Sequence, residues 1–125
     1  MANVLRRVTV DLHFIETTQF SQRIQALGLD SVIRPLQAEL SANPLLGDLD
    51  AGTGGLRKIR VPDPSRGKGK RSGARVHYLY LPPHSVIYLL FVYSKDELDA
   101  LNAAQKKELK RIVESIRAEW RARNR

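Results

Sequence analysis

The sequence predicts an α+β fold with the order β-α-α-β-β-β-α: a small, mainly antiparallel twisted sheet, an N-terminal helical hairpin and a C-terminal helix. Three observations lead there. Apolar residues alternate singly near the start, recur at intervals of three and four in two early stretches and one late one, and run unbroken through Val86–Tyr93. The 125 residues fit one domain, 1–125, and 42% apolar with 27% charged content is that of a globular chain.

From Val4 to Phe14, the residues Val8, Val10, Leu12 and Phe14 alternate with polar neighbours, the period of a half-buried strand. Phe20, Ile24 and Leu27 then repeat at helical spacing up to Gly28, a stop signal. Asp30 is the expected cap of a second helix, whose Ile33, Leu36 and Leu40 share a face until Asn43-Pro44 ends it. Pro35 belongs in its first turn, where a missing N–H is tolerated. Leu46–Gly55 reads as a glycine-rich turn. In the strand Leu56–Val61, Lys58 and Arg60 share a face with Leu56, while Ile59 and Val61 face the other way.

Pro62 and Pro64 break that strand, and the Gly/Lys/Arg loop to Gly73 reads as mobile. Arg75–Leu81 is a third strand with Arg75, His77 and Leu79 on one side and Val76, Tyr78 and Tyr80 on the other. Pro82-Pro83-His84 turns the chain into Val86–Tyr93, whose continuous apolarity marks it as the most buried strand. Asp96–Leu101 has room for a turn of helix, and Asn102 with Gln105 has capping-box spacing. Leu109, Ile112, Val113, Ile116 and Trp120 form the stripe of a final amphipathic helix, with Arg121–Arg125 as a fraying end.

Charge is concentrated rather than spread. Between Gly52 and Arg75 the cations Arg57, Lys58, Arg60, Arg66, Lys68, Lys70, Arg71 and Arg75 stand against one acid, Asp63, giving +7 of the chain's net +8. Such a local excess concentrates polyanions, of which nucleic acid is the commonest. Other chemistries lack their residues. There is no cysteine, the three histidines His13, His77 and His84 have no metal-ligand spacing, and no P-loop, dinucleotide fingerprint or nucleophile elbow occurs. No metal or cofactor is therefore expected. The N-terminus has no secretory h-region and the longest apolar run is far too short for a bilayer, so a cytoplasmic protein without membrane contact is expected.

Strand geometry aims Lys58 and Arg60 together, and a neighbouring strand brings Arg75 beside them. Cations so placed need an anion, and Lys58 is the one able to give up a proton and act as a base. Tyr78, Tyr80, Tyr88 and Tyr93 are candidates for stacking on bases, of which Tyr93, next to Lys95 at its strand's end, is best placed. His77 shares the face of Arg75 and ranks below the lysine.

The segments GTGGLRKIRV, SGARVHYLYL, VIYLLFVYSKDEL and LNAAQKKEL, with the intervening Gly/Lys/Arg loop and QAELSANPLLGD, together resemble the HigB-type toxins of the RelE/ParE superfamily of bacterial toxin–antitoxin modules. The likeness covers about Leu36 to Trp120. It implies a ribosome-dependent endoribonuclease that cuts messenger RNA in the ribosomal A site and is silenced by a helix-turn-helix antitoxin of the HigA type. On the matching positions it implies catalytic roles for Lys58, Arg60, Arg75 and Lys95: taking the proton of the ribose 2′-OH, stabilising the pentacoordinate phosphate and protonating the departing 5′-oxygen. Arg57, Lys68, Lys70, Arg71 and Tyr93 are the expected RNA-binding residues. Where some RelE relatives place a stacking tyrosine this chain has Leu101, and Tyr93 is the expected substitute. A ParE-like inhibitor of DNA gyrase and a non-catalytic nucleic-acid or ribosome-binding module are the alternatives, and the four cations favour the nuclease.

Overall fold

A computed structural model describes residues 11–123, so Val4, Val8 and Val10 of the expected first strand lie outside the described residues. The elements are β1 (His13–Glu16), α1 (Thr18–Leu27), α2 (Ile33–Ala42), β2 (Asp48–Leu49), β3 (Arg57–Val61), β4 (Ala74–Leu81), β5 (Val86–Ser94) and α3 (Ala103–Arg123). The class is α+β. The strands form one mixed sheet in the order β1-β5-β4-β3-β2, parallel at β1–β5 and antiparallel elsewhere. The added strand is β2, two residues in the stretch read as a turn and too short to show a period.

Local chemistry explains most boundaries. The Thr17 hydroxyl accepts the Phe20 N–H at 3.1 Å to start α1, and Gly28 at φ 67° ends it in the left-handed region. Asp30 does not cap α2, which corrects the expectation. It opens a 3-10 turn, Asp30–Val32, and its main-chain carbonyl rather than its carboxylate takes the Ile33 N–H. Asp96–Leu101 forms turns and no helix. The capping box does form: Asn102 Oδ1 accepts the Gln105 N–H at 2.8 Å, and Gln105 Oε1 accepts the Asn102 N–H at 2.9 Å. From it α3 runs unbroken to Arg123, further than the fraying expected from Arg121.

Alternation along the strands builds a core on each side of the sheet. Val76, Tyr78, Ile59 and Val92 pack with Phe20 and Ile24 of α1 and Leu36 and Leu40 of α2. Leu56, Leu79, Leu81 and Leu90 pack instead with Leu109, Val113 and Ile116 of α3. Each such side chain contributes about 1.5–3 kcal/mol on full burial. The most interior strand is β4, not the apolar β5: it lies mid-sheet with every residue but Tyr80 buried. Its polar residues Arg75 and His77 are buried too, so apolarity alone pointed to its neighbour.

One irregularity divides this sheet. His77 lies opposite Phe91 but Tyr78 lies opposite Leu89, which leaves Leu90 as an extra residue in β5. Leu90 and Phe91 consequently both pack on the α3 side. A bulge bends its strand and sharpens the local twist. It falls where, along one side of β4, the apolar Leu79 and Leu81 give way to Arg75 and His77. Among the described residues no helix is long and apolar enough to cross a membrane.

Candidate functional site

The β3–β4 register sets the site: Arg60 is opposite Arg75, and Lys58 is opposite His77. Cross-strand partners share a face, so the three cations sit together on the face that also carries His77. Arg60 is exposed, Lys58 half-buried and Arg75 only 5% exposed. Among the described residues none of Lys58, Arg60, Arg75 and Lys95 forms an ion pair with a carboxylate.

Arg75 is held by main-chain carbonyls instead. Its Nη1 donates to Lys70 at 3.3 Å and Ala74 at 3.1 Å, and its Nη2 to Arg71 at 2.8 Å. Such bonds fix the guanidinium plane without neutralising it. Burial, and after it the Arg60 charge, pushes Arg75 below the ordinary arginine value. Arginine keeps its proton at any physiological pH, so the confined charge persists. Lys95 lies one residue past β5, half-buried, with its N–H on the Gly73 carbonyl at 2.9 Å. That is the same end of the sheet, since Arg75 pairs with Tyr93.

The loop from Pro62 to Gly73, read from the sequence as mobile, makes hydrogen bonds and ion pairs of its own. Asp63 and Lys68 exchange main-chain hydrogen bonds at 2.8 and 2.9 Å. The Asp63 carboxylate, buried with its residue at 1% exposure, accepts the Ser65 hydroxyl at 2.8 Å and lies 3.5 Å from Arg66. Asp96 pairs with both Lys68 and Arg66, and Glu39 lies 3.2 Å from Lys70. These acids are remote in sequence, so the local composition showed only the repulsion.

The expected RNA-binding residues separate. Lys68 and Lys70 are ion-paired near the surface, with Asp96 and Glu39 respectively, where solvent screens such pairs. Arg71 is exposed beside them. Arg57 points to the other face, with Nη1 on the carbonyls of Gly47 at 2.7 Å and Leu45 at 3.4 Å, and is not brought into the cluster. Tyr93 is 1% exposed, packed against His77 and Phe91, and has no ring face to give a base, which corrects its expected stacking role. Leu101 belongs to the α3 core.

Behind Lys58 lies a buried polar chain that the sequence showed only in part. His77, wholly buried, sets Nε2 at 2.8 Å from Asp50 Oδ2, and Asp50 Oδ1 is 2.9 Å from Lys106 Nζ of α3. Burial raises the Asp50 carboxyl, but the hydrogen bonds from His77 and Lys106 together outweigh it and hold Asp50 below its usual value. Burial pushes the imidazole down and outweighs the help of Asp50. At neutral pH the carboxylate is therefore ionised and His77 neutral, with its proton on Nε2. Its Nδ1 and the Tyr93 hydroxyl are buried and have no hydrogen-bond partner among the described residues. Asp50 escaped notice because a glycine-rich turn has no periodicity to place it.

Both groups have depressed values in the folded state, so each stabilises the protein above its unfolded value and loses that contribution as pH falls. The first loss begins at the ordinary histidine value of 6.5, where the unfolded chain takes up a proton that folded His77 refuses. Unfolding free energy from urea melts is expected to be level from pH 8 to 7. Below pH 6.5 it is expected to decline by up to about 1.4 kcal/mol per pH unit. A curve that stays level to pH 5 would refute a neutral buried His77.

Along the outer edge of β3, Lys58 and Arg60 border an open groove of about 550 Å3 that also meets Leu46, Asp48, Leu49 and Lys70. No protein-family model matches the chain.

Proposed function

We propose that this chain is the toxin of a type II toxin–antitoxin module, a ribosome-dependent endoribonuclease of the HigB kind with a RelE-like fold. One observation carries the reading: Lys58, Arg60 and Arg75 share one face of the β3–β4 ladder, and among the described residues none of them forms an ion pair with a carboxylate. The resemblance over Leu36 to Trp120 supports it from the sequence. In the proposed reaction the amine of Lys58 takes the 2′-OH proton, and the 2′-oxygen attacks the adjacent phosphorus. Arg60 and Arg75 hold the charge that grows on the non-bridging oxygens, as preorganised donors do for an oxyanion. Lys95 gives a proton to the departing 5′-oxygen. The products are a 2′,3′-cyclic phosphate and a 5′-hydroxyl. The proposed setting is the bacterial cytoplasm, with the ribosome and mRNA as targets and a HigA-like helix-turn-helix antitoxin as the silencing partner.

Primer extension on transcripts after brief induction, with and without translation, tests this. Cuts inside codons that vanish when translation is blocked are the expected result. Cuts that persist without ribosomes remove the ribosome requirement, and an absence of cuts removes the nuclease. Gyrase-dependent DNA breaks would favour the ParE-like reading.

A further inference from the structure

The groove beside the cations has a composition that phosphate binding does not explain. It opens because β2 is only two residues long: Asp48 pairs with Lys58 and Leu49 with Arg57, and Ile59 and Arg60 then border open space. At about 550 Å3 it falls within the range of small-molecule sites. Leu46 and Leu49 lie at its wall, 44% and 64% exposed. Asp48 shares a side of the sheet with Lys58 through their register, is exposed, and among the described residues forms no ion pair. The other acids that line the groove are occupied, Glu39 by Lys70 and Asp50 by His77 and Lys106.

An acid set beside phosphate-seeking cations weakens their hold on RNA, and bare leucines add nothing to it. Both features suit a base. Apolar side chains accept a flat, unstacked ring, and a carboxylate accepts from the exocyclic amine of adenine, cytosine or guanine while repelling the O4 of uracil. With Tyr93 buried and Ile59 only 9% exposed, the exposed apolar surface of this groove comes from the leucines, with Leu49 on the Arg57 side of β2.

We infer that this groove is a nucleobase slot, which takes one unstacked RNA base next to the phosphate on Lys58, Arg60 and Arg75, and that Asp48 selects bases bearing an exocyclic amine over uracil. The inference rests on the cation face binding RNA, but not on its cutting RNA. The test is an NMR titration of the full chain, with leucine methyls labelled, against tri-adenylate, tri-cytidylate and tri-uridylate. The Leu46 methyls are expected to shift with the first two, more than those of Leu49, which the register sets on the Arg57 side, and tri-uridylate to bind about tenfold more weakly. Asp48→Asn should erase that preference, because an amide both accepts from an amine and donates to O4; at an exposed position it leaves the fold intact, which a thermal melt verifies. Leucine methyls unmoved by all three oligonucleotides, as when the patch serves a protein instead, would overturn the slot. So would a base preference unchanged by Asp48→Asn. Slot binding without any mRNA cuts sinks the nuclease reading alone, and cuts without a leucine response sink the slot alone.

Discussion

On the proposed function, Arg75→Ala is expected to lower mRNA cleavage on programmed ribosomes by about 10²–10³-fold, the loss seen when one preorganised oxyanion donor is removed. Growth arrest on induction should disappear with it. Ribosome binding should change little, because one phosphate contact among many lowers the salt slope by only about 1. Arg75→Lys is not expected to rescue, since a point charge cannot reproduce the planar fork that meets the carbonyls of Lys70, Arg71 and Ala74. The loop should stay in place in either variant, through the Asp63–Lys68 exchange and the pairs to Asp96. Single-turnover cleavage measured alongside binding at several salt concentrations decides. Cleavage within tenfold of wild type would remove Arg75 from the reaction, and an equal loss of binding would make it a docking residue.

Gly73→Ala is expected to be the most disruptive of the glycine substitutions in the basic loop. A Cβ there would lie 2.3 Å from the Val61 carbonyl oxygen, 2.8 Å from that of Gly69 and 2.9 Å from the Asp63 nitrogen. All three are main chain, so no side chain can swing aside. The loop must lift from β3, and with it goes the carbonyl cradle of Arg75. Overpacking of this kind costs about 1–3 kcal/mol. Gly69→Ala is the control: its Cβ would meet nothing within 4 Å, and its effect should stay within about 0.5 kcal/mol. Urea melts of the two variants make the comparison, and equal midpoints would show that the loop lifts freely.

The strand faces were legible in the sequence because a period of two survives in short segments. Lys58 and Arg60 on one side of β3, and Arg75 and His77 on one side of β4, follow from counting alone. Helix ends at Gly28 and Asn102 were legible from single residues with one conformational preference. What tertiary contact decides was not. Tyr93 looks like a strand-end aromatic but lies under the second core, and Arg57 looks like part of the basic cluster but faces away from it. The loop reads as self-repelling until Glu39 and Asp96, from distant parts of the chain, come alongside. Asp50 sits in a stretch whose glycines announce a turn and nothing more, yet it joins α3 to the strand that carries Arg75.

The spare residue at Leu90 also bears on how this sheet tolerates length changes. Elsewhere in β4 or β5, losing one amino acid would swap inside for outside along the remainder of the strand. At Leu90 the loss would merely iron out the kink, since Leu89 and Phe91 already stand on the sides that an even ladder would assign them. The hydrophobic end and the charged end are thus joined by a slack link, and a lineage could lengthen or shorten one without scrambling the other.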